Sequence, residues 1–162
     1  TYQLPEAQMD RFLFKVIVKY PTIAEEKQII HAVFEPEKVS KILSTKEVKE
    51  VQTLVSDVYI DDKVIDYILA LVFATRNPEA AGSKSMKSMI LHGASPRATL
   101  TLFHAAKAHA FLKKRHFVIP DDIKAIAPDV LRHRLLLTYH AEAEGISADD
   151  IIAELLHVIP AP

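Results

Sequence analysis

The chain has 162 residues, 49% hydrophobic and 25% charged, with a formal net charge of −1 and no cysteine. That is enough for one domain with a real core, or one domain plus an appendage, and the composition excludes disorder. It also excludes disulfides and thiolate metal sites, provides no global field toward nucleic acid or an anionic membrane, and suits a cytoplasmic protein.

No apolar run approaches the ~18 residues of a membrane-spanning helix, and no signal-peptide pattern opens the sequence. The first residues, Thr1-Tyr2-Gln3-Leu4-Pro5, do not begin with Met and read as the interior of a longer protein. Phe12-Leu13-Phe14-Lys15-Val16-Ile17-Val18 is a β-branched and aromatic run bounded by Pro5 and Pro21. It predicts a buried strand of a sheet covered on both faces. Nothing else in the chain supplies that sheet. The run should therefore be mobile or held by a substitute partner, either the same strand of a second molecule or a groove on the rest of the chain. Of these, contact with a second molecule is the expected case.

From Pro21 onward the punctuation is helical. Thr22 with Glu25 forms a capping-box pair and opens a helix expected to bury Ile29, Ile30 and Val33. Ser44 with Glu47 opens another, with Val48, Val51, Val55 and Val58 on one stripe. Asp61 or Asp62 caps a third, which turns Val64, Ile65, Ile68, Leu71 and Val72 inward and ends before Pro78. Residues 76–94 read as the one long loop. Ser95 then suits an N-cap and Pro96 the first helical position. The helix they open runs to about Arg115 and is apolar nearly all round, so it should be central, with Ala105, Ala106, Ala108 and Ala110 allowing close approach. Arg97, Thr101 and His104 share its polar strip, where His104 is read as a packed or hydrogen-bonded core residue. Pro120-Asp121-Asp122 starts a fifth helix that Pro128 should break or restart. Leu135-Leu136-Leu137-Thr138 predicts a short strand paired with Ser88-Met89-Ile90-Leu91. Ser147 with Asp150 caps a last helix. The fold class is mainly α: a helical bundle preceded by an extended segment or strand, with a boundary that separates residues 1–20 from 21–162.

Arg97 is oddly placed, because a helix N-terminus already carries partial positive charge. Backbone N–H groups and a guanidinium aimed one way would accept phosphate. The alternative is a surface arginine lying over its own helix or paired with a carboxylate. Arg11, at the edge of the strand run, has a salt bridge to Asp10 or Glu6 as its plain reading. The histidines show no His-Glu-x-x-His, and His104 and His109 are five apart and off a common helical face, so no metal site is expected. Arg132-His133-Arg134 and Lys113-Lys114-Arg115-His116 are short basic clusters without interleaved aromatics, so they read as solvated faces before a nucleic-acid patch.

Three motifs occur in one order along the chain: Leu4-Pro5-Glu6-Ala7-Gln8-Met9-Asp10-Arg11-Phe12, Gly93-Ala94-Ser95-Pro96-Arg97-Ala98 and Val130-Leu131-Arg132-His133-Arg134. Together they resemble the C-terminal portion of the MoxR family of AAA+ ATPases, with Met9 a mild departure in an apolar slot. The resemblance implies that residues 1–20 end the AAA+ core and 21–162 form the helical lid. It implies that Arg11 is an arginine finger acting in trans, that Arg97 is the nucleotide-touching sensor 2 beside Ser95, and that Leu-Arg-His-Arg serves structure or a subunit interface. It further implies a parent that uses ATP and Mg²⁺ and assembles with itself into a ring, of six subunits. Such a parent would remodel or activate client proteins in a chaperone-like way, including clients with von Willebrand factor A domains. A nucleotide-hydrolysing site needs a Gly-rich phosphate loop, of which Gly82-Ser83-Lys84-Ser85 is only a faint echo, and acidic ligands for magnesium. Residues 1–162 alone should therefore bind neither ATP nor Mg²⁺ appreciably and should not be catalytic. Two rivals remain: a non-enzymatic helical adaptor, and less strongly a nucleic-acid-binding helical domain. A Gly-x-x-Gly-x-Gly-Lys-Thr loop upstream would decide for the ATPase.

Overall fold

The computed structural model describes residues 4–32 and 40–162. Its helices are α1 (Glu6–Met9), α2 (Ile23–His31), α3 (Thr45–Ser56), α4 (Asp62–Arg76), α5 (Lys84–Lys87), α6 (Pro96–Leu112), α7 (Pro120–Leu131), α8 (Tyr139–Ala143) and α9 (Ala148–Val158). Two short strands, β1 (Ile90–His92) and β2 (Leu136–Leu137), complete it. The starts of the helices follow side-chain chemistry. Thr22 with Glu25, Ser44 with Glu47 and Ser147 with Asp150 form reciprocal capping boxes, while Asp61 accepts from Lys63 N at 2.9 Å to cap α4.

As expected, α6 is the central helix. It packs on α3, α4 and α7, while α9 closes the bundle against α4 and α7. Ala98, Ala106 and Ala110 are buried on α6 with Leu102, and their small side chains let the neighbouring backbones come close. Ile68, Leu71 and Val72 of α4, Ile123, Val130 and Leu131 of α7, and Ile152 and Leu155 of α9 fill the rest. The link between α3 and α4 is stitched to the link between α6 and α7: Tyr59 N donates to His116 O and Val118 N to Tyr59 O, each at 2.9 Å. Among the described residues no helix is long and apolar enough to cross a membrane.

Several expectations need correction. Phe12–Val18 runs without strand pairing among the described residues and is exposed, Val18 at 90%; its main-chain groups are met by side chains and a carbonyl at the end of α7 instead. Ile29 and Ile30 are exposed rather than buried, Ile30 at 79%, since α2 buries no residue; Val33 lies outside the described residues. On α3 the stripe is only partly covered: Val48 is exposed, Val51 and Val55 are half-buried, and Val58 beyond the helix end is buried. Pro128 sits inside α7 without ending it. Buried residues on both sides, Ile126 and Ala127 before it and Val130 and Leu131 after it, hold the helix through the missing bond. His104 is exposed, edge-on to Phe103, not in the core.

The stretch 76–94 is also more ordered than a loop. It holds turns at 78–82, the single turn α5 and strand β1. Strand β1 pairs antiparallel with β2, Ile90 opposite Leu137 and His92 opposite Leu136, and Thr138 N extends the ladder to Met89 O at 2.9 Å. The pairing read from the sequence is thus present.

Immediately after β1 the chain presses against the end of α4. A Cβ on Gly93 would run into the Thr75 carbonyl and lie 2.8 Å from Arg76 N, so only glycine fits this crossing. Gly93→Ala should destabilise the fold by about 1–3 kcal/mol, as overpacking against backbone does. Chemical denaturation checks this, and an unchanged midpoint would contradict the crossing.

Candidate functional site

The start of α6 is positioned by the end of α4. Thr75, buried, accepts from Ala94 N at 2.9 Å and donates its hydroxyl hydrogen to Val72 O. Arg76 Nε donates to Ala94 O at 2.7 Å. With Gly93 wedged on the same turn, the Gly-Ala-Ser-Pro-Arg stretch has its backbone fixed before the helix begins. Ser95 caps α6 as expected, accepting from Arg97 N at 3.2 Å. This corrects the anion-site expectation in one respect. Pro96 has no N–H, and the amides of Arg97 and Ala98 are spent on Ser95, so the first turn offers phosphate chiefly the Arg97 guanidinium.

That guanidinium is half exposed, with its side chain at 52%, and Nη1 donates to Asp10 Oδ2 at 2.8 Å. The Ser95 hydroxyl donates to the same carboxylate, 3.0 Å from Oδ1 and 2.9 Å from Oδ2. Arg134 completes the group. Its side chain is 1% exposed, and Nε reaches Asp10 Oδ1 at 3.0 Å. The same guanidinium donates to the main-chain oxygens of Asp10 at 3.0 Å, Phe12 at 2.6 Å and Leu13 at 3.3 Å, and to Val130 O within its own turn.

The neighbours of Arg134 act the same way. Arg132 donates to Lys15 O while pairing with Asp129 and, through Nε, with Asp149 at 3.0 Å. Lys15 N in turn donates to Asp129 O at 2.9 Å. His133, 8% exposed, meets Phe12 O through Nε2 at 3.1 Å. A carbonyl oxygen only accepts, so Nε2 carries the proton. Burial holds the His133 pKa below its ordinary value and keeps the ring neutral, against the opposing pull of that carbonyl. Nδ1 is buried without a hydrogen-bond partner among the described residues. Arg132-His133-Arg134 is therefore no solvated face, because its three side chains grip the carbonyls of residues 10–15.

The sequence contained a signal for this that reading it as a charged cluster overlooked. The basic triplet is flanked by Val130-Leu131 and Leu135-Leu136-Leu137, an apolar setting foreign to a solvated patch. Asp10, Thr75 and Arg76 were missed as well, and only their tertiary partners reveal them. Residue 11 stands apart from its neighbour: Arg11 is exposed, and among the described residues no carboxylate lies within ion-pair distance of it, so the expected bridges to Asp10 or Glu6 are not formed.

A cleft of about 340 Å³ lies over this group, with Glu6, Lys15, His92 and Arg132 on its walls. Elsewhere Asp122, 1% exposed, accepts from Arg115 Nη1 at 2.8 Å, from Ile119 N at 2.8 Å and from His109 at 2.6 Å. That second ionic cluster caps α7. It uses Arg115 of the other basic run structurally. Among the described residues no three His, Cys, Asp or Glu side chains group to hold a metal ion.

Partial burial pushes the Asp10 pKa up, but hydrogen bonds from Ser95, Arg97 and Arg134 outweigh it and hold the carboxyl below its ordinary value. The clamp therefore contributes fully above the unfolded carboxylate pKa of about 3.9 and is lost as pH falls through the lower folded value. Arg134→Met should free residues 10–13 at neutral pH, and limited proteolysis there would quicken. Unchanged cleavage of residues 10–13 would show that Arg134 does not hold them.

Residues 83–155 match the AAA lid domain family. Over 162 residues the chain is 43% identical to the chaperone MoxR1 of Mycobacterium tuberculosis, covering 99% of this chain and 43% of that protein. It is 36% identical to the YeaC protein of Bacillus subtilis, over 100% of this chain and 49% of that one. A crystal structure of a candidate ATPase from Cytophaga hutchinsonii superposes with a TM-score of 0.93 at 41% identity, over 99% of this chain and 50% of that one. The chain thus spans about half the length of the curated relatives it matches. With a lid domain in its second half, sequence shared with MoxR proteins along nearly all of its own length, and a fold shared with a candidate ATPase, the chain belongs to the MoxR-type family of AAA+ ATPases, of which it spans a part.

Proposed function

We propose that this chain is the nucleotide-responsive lid portion of a ring-forming MoxR-type ATPase, with residues 1–20 ending the AAA+ core and 21–162 forming the lid. The observation that carries the reading is how the arginines divide. Arg132, Arg134 and Arg115 are consumed by internal partners. Arg97 has a half-exposed guanidinium tied by one surface pair, and Arg11 is exposed beside the clamped Asp10. A guanidinium that is always charged and can bond two oxygens at once suits phosphate.

In this reading Arg97 touches bound nucleotide and reports it to the bundle. Arg11 reaches the nucleotide of a neighbouring subunit and neutralises charge as the terminal phosphoryl group transfers. ATP with Mg²⁺ supplies that phosphoryl group, and the phosphate loop and magnesium ligands belong to the rest of the whole protein. The exposed apolar side chains of Val16, Ile17 and Val18 fit the same view, since an apolar run of this kind wants a partner layer, which the rest of the AAA+ core would supply. The work done would be chaperone-like remodelling or activation of client proteins in the cytoplasm, with von Willebrand factor A domains among the client types.

The test separates the two arginines in the whole protein. Arg11→Ala should lower turnover by about 10³-fold or more with nucleotide binding nearly intact, because the charge it meets develops only in the transition state. Arg97→Ala should weaken nucleotide binding, because its partner is already charged in the ground state. Steady-state hydrolysis and fluorescent-nucleotide titration read these outcomes. Parental turnover in the first variant, or unchanged affinity and turnover in the second, would contradict the assignment.

A further inference from the structure

We infer that Asp10 is a positioning residue that holds Arg97 in place of phosphate when no nucleotide is bound and gives it up when phosphate arrives. This rests on the proposed role of Arg97 as the nucleotide-touching residue. Its basis is the way one carboxylate is shared. Arg134 bonds Oδ1, Ser95 donates to both oxygens, and Arg97 bonds Oδ2. If Arg97 leaves, each oxygen of Asp10 keeps a donor, Oδ1 from Arg134 and Ser95, and Oδ2 from Ser95. No buried charge is stranded, so the exchange carries none of the penalty that removing Arg134 would bring.

The two arginines differ in how firmly they hold. Arg134 is sealed, with its side chain at 1%, and binds three main-chain oxygens of the segment besides the carboxylate. Arg97 is half exposed, and among the described residues its guanidinium bonds the carboxylate alone. An exposed pair is weak and easily replaced, and a phosphate carrying more charge and more acceptor oxygens outcompetes one carboxylate oxygen. The pair therefore behaves as a detachable contact on a permanent clamp. It joins the start of α6 to the residue next to Arg11, so the state of the nucleotide is felt where that arginine is mounted.

Titration of the whole protein with a fluorescent ADP analogue tests this with Asp10→Asn, Arg97→Ala and the double variant. Asn keeps an acceptor for Arg134 but removes the charge that competes for Arg97. Asp10→Asn should tighten ADP binding by up to about fivefold, the value of one exposed pair, and this gain should vanish when Arg97 is absent. If Arg97→Ala weakens binding while Asp10→Asn changes nothing, or tightens it equally in both backgrounds, the inference is overturned and the role of Arg97 stands. If Arg97→Ala has no effect on affinity, both fall together. Should Asp10→Asn fail to fold, the ¹³C carboxyl resonance of Asp10 in the unmutated protein decides. ADP should shift that resonance and raise the Asp10 pKa in the presence of Arg97 only, and a resonance that ADP leaves unmoved overturns the inference.

Discussion

The contact between Asp10 and Arg134 joins parts of the chain 124 residues apart and decides where everything around it sits. Arg134 follows α7 in a tight turn, with its amide donating to Leu131 O at 2.8 Å, so α7 and the core beneath it aim its side chain. The guanidinium is buried at a cost that only complete hydrogen bonding offsets, and it finds that in one carboxylate and several carbonyls. A lysine could not replace it, because a single ammonium lacks the planar fork that spans carboxylate and main chain together. The segment that carries Arg11 is thus mounted on the bundle through its backbone, and its apolar side chains are left facing outward.

Two ionic clusters in this fold look alike and behave differently. The Asp122 cluster has a buried carboxylate, and its partners Arg115 and His109 converge on a helix start, so it serves to cap α7. The Asp10 cluster is layered from a sealed guanidinium to a half-exposed one. Burying a charge makes its partner hard to remove, and exposing it makes exchange cheap. Arg97 lies on the cheap side of that difference, at the point where α4 fixes the entry to α6 through Thr75, Arg76 and the absent side chain of Gly93.

Much of the bundle was legible in the sequence because its cues are local. Capping pairs such as Ser147 with Asp150, and the alanine-rich face of α6, need only neighbours within a turn or two. The pairing of Leu136 and Leu137 with Ile90 was legible as two short apolar runs. Burial along residues 12–30 was misread, because a hydrophobic pattern says that a partner is wanted and not that one is present. Pro128 was misread because packing on both sides overrode a local rule. The positions of Arg11, Ser95 and Arg97 came from motif and helix chemistry. The partnership of Asp10 with Arg134 spans the chain, and no spacing rule reaches that far.

The central claim is that Arg134 holds the Arg11 segment permanently while Arg97 is held only until phosphate takes its place. Comparing structures of the whole protein with and without ADP, superposed on α6 and α7, tests it most directly. The account predicts that residues 10–15 stay on Arg132, His133 and Arg134, with Asp10 still paired to Arg134, and that the Arg97 guanidinium moves from Asp10 to a phosphate oxygen. A bound state in which residues 10–15 leave the bundle while Arg97 remains on Asp10 would contradict it.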